Sequence, residues 1–407
     1  SGTIGLWPPI ATAGIASTPM AAFTLHTSPP EPSAQVLWST EAVRAIGGGD
    51  FGAPAYWRRV VGETFRPAMN LNGRAGWVSH GAFGCPITVH DRRRTDSYPV
   101  SLMTQYLDYP RAELNHFSSG PLRLAARLGL VAFEAILRGA MADRTVQWNS
   151  WMFSTNPVPE GLLGSVGAIT RSLVREFPEH AVVLRNVDEV GAPGLADQLV
   201  QQGYRLLTSR IVYCFDARQR PLRGTSTLRR DGKEFAGDTR YRWVHPSEIL
   251  DSDAARIAEL YRMLYLDKHS RLNPHYDEAF VRAAIRDRWL EFHGLRDRLG
   301  RLVGVWGYFT IDHTITTVPF IGYDTALPAE SGLYRQLFLG LHREVNDRKQ
   351  LLNYSSGAGE FKRRRGAVPA VEYNAVFDRH LPERRRMGFR IAGLLLNRLA
   401  RPWLEAS

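Results

Sequence analysis

The sequence predicts a mixed α/β fold, an α+β mixed sheet in two tandem copies, and two observations carry that prediction. In residues 322–378 an apolar strand end leads through a Pro/Ser/Gly turn into a long helix, a buried strand, a short basic helix and a last alternating strand. Residues 160–215 repeat that order at nearly the same spacing. Repetition of element order, without repetition of residues, is what two copies of one α/β unit would show. The 407 residues suffice for two hydrophobic cores.

Taken in order, residues 1–50 are rich in Ala, Thr, Ser, Pro and Gly and read as a flexible N-terminal arm with a short helix at 39–46. A first domain is expected over 51–216. Its segments 76–90 and 97–107 alternate like strands, 121–142 is helical, and 145–153 is a strand. A helix opening on Gly161, Gly164 and Gly167, a strand at 181–185, a helix at 194–202 and a strand at 205–215 complete it. Charged and turn-forming residues make 217–240 the expected linker.

The second domain is expected over 241–378. Helices at 252–266 and 277–289 precede strands at 290–295, 303–311 and 314–321. The long helix then repeats Leu333, Leu337, Leu341 and Val345 on one face, the spacing of a helix packed on a sheet. Strand 350–356, helix 360–365 and strand 371–377 follow. Residues 379–407 form a basic amphipathic helix, expected to dock on the body, with a peripheral membrane contact as the alternative.

The 44% apolar and 22% charged content is that of a globular chain. No run approaches the ~18 apolar residues that read as a membrane span. Of the +11 net charge, residues 360–401 hold +7, from eleven Lys/Arg against four Asp/Glu. Such density favours a phosphate-rich partner or an anionic surface. Cys85 and Cys214 lack metal-site or disulfide spacing, and no basic segment introduces the apolar stretch 10–25, so a cytoplasmic protein is expected. His269, His275 and Asp277 match no metal geometry, so no metal is expected.

A helix start left bare by small residues attracts anions, because unpaired amides and the helix dipole point the same way. Here that start is Ala329-Glu330-Ser331-Gly332-Leu333-Tyr334. Together with the element order, this stretch resembles the acyl-donor half of the GNAT acyltransferase superfamily, whose turn signature is Q/R-x-x-G-x-G/A; one glycine, Gly332, is kept. Phe361-Lys362-x-x-x-Gly366 resembles a lysine motif of the Fem-type branch, whose members are tandem GNAT repeats using aminoacyl-tRNA.

The resemblance implies acyl transfer to an amine, with no tightly bound cofactor and acyl-CoA as co-substrate. Ser331, Gly332, Leu333, Tyr334, Arg335 and Arg364 would bind the donor. Lys362 would stabilise the oxyanion, while Asp324 or Glu372 would act as base or orient the amine. Lys268, His269, Asn273 and Tyr373 would hold the acceptor. The expected reaction is N-acylation of a small or peptide-like amine by an acyl thioester, on CoA or an acyl carrier protein. Alternatives are a Fem-type transferase using aminoacyl-tRNA and a non-catalytic lipid- or partner-binding protein.

Overall fold

The computed structural model describes residues 33–47, 51–63, 65–91, 96–114, 120–219, 225–312 and 314–406. All belong to one compact unit, Ser33–Ser407. Residues 1–32 of the arm predicted over residues 1–50 lie outside the described residues.

The first half runs through β1 (Gln35–Leu37), α1 (Ser39–Ala45), α2 (Gly52–Val61), β2 (Arg74–His80) and β3 (Phe83–His90). A π-helical turn (Thr104–Asp108) leads into α3 (Tyr109–Glu113), then α4 (Gly120–Ala140), β4 (Thr145–Trp148), α5 (Leu162–Glu176), β5 (Ala181–Val187), α6 (Leu195–Gln201) and β6 (Arg205–Asp216). After α7 (Ser226–Ala236) and β7 (Tyr241–Val244) comes α8 (Ala254–Tyr261), continued as a π-helix to His269. The second half goes on with α9 (Glu278–Arg286), β8 (Glu291–Asp297), β9 (Leu302–Thr310), β10 (Ile315–Tyr323), α10 (Leu333–Asp347), β11 (Leu351–Asn353), α11 (Gly359–Arg363) and β12 (Val368–Phe377). The chain closes with α12 (Glu383–Leu395) and α13 (Arg401–Ala406).

The strands form one twelve-stranded sheet in the order β1-β2-β3-β4-β5-β12-β6-β11-β10-β9-β8-β7. Its parallel pairs are β4 with β5 and β10 with β11, each bridged by an amphipathic helix, α5 or α10. The order reads alike from both ends: the last strand of each half sits inside the other half, β12 against β5 and β6 against β11. Those two strands pair with each other over nine positions, from Val368↔Cys214 to Val376↔Arg205. The halves are therefore interlocked through this pairing, whose register shifts once between Glu372 and Tyr373. An aromatic core also joins them: Phe153 of the first half stacks on Tyr56 at 5.3 Å and meets Phe309 of the second at 4.8 Å.

Three expectations need correction. The arm does not extend to residue 50, since β1 pairs with β2 and α1 buries Ala42. Residues 97–107 do not form a strand; the buried Asp143 carboxylate accepts Ser101 Oγ (3.0 Å) and Met103 N (3.0 Å), and Ser101 Oγ accepts Thr104 N (2.9 Å). These side-chain acceptors cap a helical turn, and the alternation of Val100 and Leu102 only imitates a strand. The linker at 217–240 contains α7, which buries Leu228 and Asp231.

The C-terminal helix docks on the body as expected. Phe389 and Ala392 are buried beside Leu137 and Leu207. Arg385 is buried too, its Nε donating to Ala140 O (2.9 Å) at the C-terminus of α4, where carbonyls lack helical partners.

Candidate active site

β10 and β11 pair only over Ile315–Thr317 and Leu351–Asn353. Beyond them β10 runs on to Tyr323 while the other strand ends, and a cavity of about 410 Å³ opens there. Its wall after β11 is an unusual backbone: Ser355 (φ 61°), Gly357 (78°) and Ala358 (48°) all adopt left-handed conformations. For Ser and Ala this costs on the order of 1 kcal/mol or more each. Asn353 Oδ1 accepts Ser355 N (2.8 Å), which helps to hold the turn.

The stronger clamp is Lys362. Carried by α11 and 4% exposed, its Nζ donates to the carbonyls of Tyr354 (3.0 Å), Ser355 (3.3 Å) and Ser356 (2.8 Å). The lysine lines the cavity. Burial pushes its pKa down to about 7, with Arg210 adding repulsion and Cys214 opposing it. An ammonium has three donors, and all three are in use. The bond to Ser355 is the longest and the one most easily exchanged for a substrate oxygen.

Lys268, His269 and Asn273 line the same cavity, as does Tyr334. Lys268 Nζ donates to Tyr323 Oη (3.1 Å). His269 is exposed at the rim, yet desolvation by the surrounding atoms and then the Lys268 charge hold its pKa below the ordinary value, with exposed Glu113 opposing. Asn273 braces the loop, its Nδ2 donating to Tyr265 O (3.2 Å) and Ser270 O (2.9 Å). Tyr334 packs against Phe361 at 4.9 Å. Among the described residues, no carboxylate lines the cavity.

The other expected site residues lie elsewhere. Asp324 is buried, paired with Arg256 (2.6 Å) and Arg301 (3.4 Å), and accepts Ala326 N, so it anchors a turn. Glu372 is saturated by Arg210 Nε (2.9 Å), Ser209 Oγ (3.1 Å) and Asn186 Nδ2 (3.0 Å). Tyr373 faces away, packed on the core of the first half. Arg364 is exposed and pairs with Glu360 one turn back.

The expected donor turn is covered. Helix α7 lies over the start of α10, where Arg335 pairs with Asp231 (2.7 Å) and Glu234, and its guanidinium lies 5.0 Å from the Phe235 ring. A Cβ on Gly332 would come within 3.0 Å of that ring. Ser331 is buried and Leu333 belongs to the core. Gln336 Nε2 adds a bond to Asp238 (3.2 Å). These α7 side chains occupy the space over the turn, and a phosphate there would have to displace them.

Sequence reasoning missed the contribution of the first half, Tyr98, Tyr109 and Ser154. The Asp108-Tyr109-Pro110 triplet, with proline early in α3, was the local signal for a helix there. It also missed Asp231, which binds Arg335 and Arg365 from α7.

Neither a protein-family model nor a curated protein matches the chain. Solved structures do. A tandem GNAT protein from the clavulanic acid biosynthesis pathway is 11% identical, with 84% of this chain and 98% of that one covered and a TM-score of 0.39. FemX is 6% identical over 56% of this chain and 79% of its own, with a TM-score of 0.44. L-PGS from Bacillus licheniformis is 12% identical over 58% of this chain and 80% of its own, with a TM-score of 0.42.

Proposed function

We propose that the protein transfers an acyl or aminoacyl group to an amine in the cavity floored by Lys362. The observation that carries this reading is a buried ammonium at the point where a parallel strand pair separates, held by three carbonyls beside an aromatic-lined opening. In the proposed step the amine nitrogen attacks the donor carbonyl and passes a proton to His269. The tetrahedral oxyanion takes over the Lys362 donor now spent on Ser355. Collapse releases the donor's oxygen or sulfur, which leaves with the proton held by His269.

The covered α10 turn favours a donor that does not depend on a pyrophosphate there. We therefore place acyl or aminoacyl groups delivered on a macromolecular carrier, tRNA or an acyl carrier protein, ahead of CoA. Among the described residues, a lining with lysines and tyrosines and no carboxylate favours a neutral or anionic acyl group over a cationic one.

The test is mass-spectrometric detection of amide product from acyl-CoA, acyl-carrier and aminoacyl-tRNA donors, each offered with a panel of amines. Product from a carrier-borne donor, lost in Lys362→Ala with donor binding retained, supports the reading. Equal product formation by Lys362→Ala would overturn it.

A further inference from the structure

The side of the molecule formed by α4 and α12 carries a feature that acyl transfer leaves unused. Seven of the fifteen large apolar side chains exposed among the described residues lie on α4 or on the C-terminal helical run 383–406. On α4 they are Leu124 (60% exposed), Leu128 (62%) and Val131 (61%). On α12 they are Met387, Ile391 and Leu394. Both sets follow the spacing i, i+4, i+7, which places each in one stripe along its helix.

The two helices pack against each other closely. A Cβ on Gly388 would come within 2.8 Å of the Ala140 side chain, and Arg385 caps α4. Solitary exposed apolar residues are ordinary, but two stripes on adjoining helices are not.

Arginines accompany both stripes. Arg127, Arg384, Arg390 and Arg398 are exposed and form no ion pair among the described residues. By contrast Glu134, the acidic residue of α4, is bound by Arg111 and Arg138.

The geometry points to a docking surface for an anionic lipid membrane, on which α4 and α12 lie in the interface plane. Apolar stripes enter the boundary between headgroups and acyl chains while flanking arginines meet lipid phosphates. A second copy of this chain is the poorer occupant, because a symmetric contact through this face would set arginines against arginines. No helix among the described residues is long and apolar enough to cross a membrane, so the contact is peripheral.

Cosedimentation of the full chain with vesicles of phosphatidylcholine, with and without phosphatidylserine, tests this surface. Binding is expected only with phosphatidylserine and should weaken as salt rises. Leu128→Glu/Leu394→Glu and, separately, Arg390→Glu/Arg398→Glu should each weaken it on the order of tenfold or more. Leu299→Glu, at a site 93% exposed in the turn after β8, controls for surface charge and should leave binding unchanged. Circular dichroism establishes that the variants are folded.

No binding to either vesicle, or binding indifferent to both double variants, overturns the proposal. So does a dimer by light scattering that Leu394→Glu dissociates without any lipid effect. Because no acyl donor is present, none of these outcomes depends on the catalytic reading.

Discussion

Each half of the sheet contains one parallel strand pair, and the two pairs end differently. In the first half, β4 and β5 stay in register from Thr145↔Ala181 to Trp148↔Leu184. The chain after Trp148 then turns inward and buries Trp151 and Phe153. Asn156 accepts Trp151 N (2.9 Å), Asn156 N reaches Asn186 Oδ1 (3.0 Å), and Asn186 Nδ2 reaches Ser154 O (3.0 Å) and Glu372 (3.0 Å). Aromatic rings and paired amides thus form a wall. In the second half the diverging strands open on a cavity, which Lys362 enters from α11. One topology yields a support and a site, and what distinguishes them is the side chains that the diverging strands must satisfy. The wall serves the cavity, since Ser154 lines it and Arg210 Nη2 donates to Ser154 O (2.6 Å).

The largest expected effect lies in the wall. Glu372→Ala leaves Arg210 buried without its carboxylate, and breaking a buried pair in this way costs about 3–5 kcal/mol of stability. Denaturant unfolding should show that loss, while the fraction that remains folded keeps its turnover. A large loss of turnover with stability unchanged would erase the distinction between wall and site.

Next comes Lys362→Ala. Removing a charge aimed at a developing oxyanion should lower turnover by about two orders of magnitude, with donor affinity nearly intact. If donor affinity falls while turnover at saturation holds, the lysine is a clamp for the turn at 354–358 and not a participant.

pH separates those roles further. Folded Lys362 loses its proton near 7, whereas in the unfolded chain it does so near 10.5. Between those values the unfolded state binds the additional proton. Stability, measured against Lys362→Met, should therefore rise with pH by up to about 1.4 kcal/mol per unit from pH 7 to 10 and be flat below 7. Turnover should move the other way, falling above pH 7 as the ammonium is lost. A variant difference in stability that is flat across this window would show that the lysine titrates normally.

These contrasts also explain what the sequence disclosed. Leu333, Leu337, Leu341 and Val345, spaced for one helix face, are all buried, because local periodicity reports burial directly. Lys362 is singled out by the resemblance of Phe361-Lys362-x-x-x-Gly366 to the Fem-type motif, and it lines the cavity. The first-half tyrosines were not, since Asp143 decides the course of residues 97–107 from about forty residues away. Arg335 and Arg365 both meet Asp231 across more than a hundred residues, and charge matching at that range leaves no periodic trace. The strand exchange was equally hidden, because an alternating strand reads the same whichever neighbour it joins.

The smallest expected effect is at Arg364, two residues from Lys362 on the same basic run. The four cations of that run have separate fates: Lys362 faces the cavity, Arg363 lies 5.8 Å from the Tyr213 ring, and Arg365 is buried on Asp231. Arg364 is left in solvent, its side chain 65% exposed and paired with an equally exposed Glu360. An exposed i,i+4 pair contributes about 0.3–0.5 kcal/mol at most and weakens with salt. Arg364→Ala should therefore change the midpoint of unfolding barely at all and leave turnover unchanged. Its one informative readout is affinity for a carrier-borne donor as a function of ionic strength. A carrier rich in phosphates or carboxylates that rests on this rim would bind the variant more weakly at low salt and equally at high salt. If affinity is identical at every ionic strength, the carrier approaches the cavity from another side, and the rim nearest Lys268 becomes the place to look.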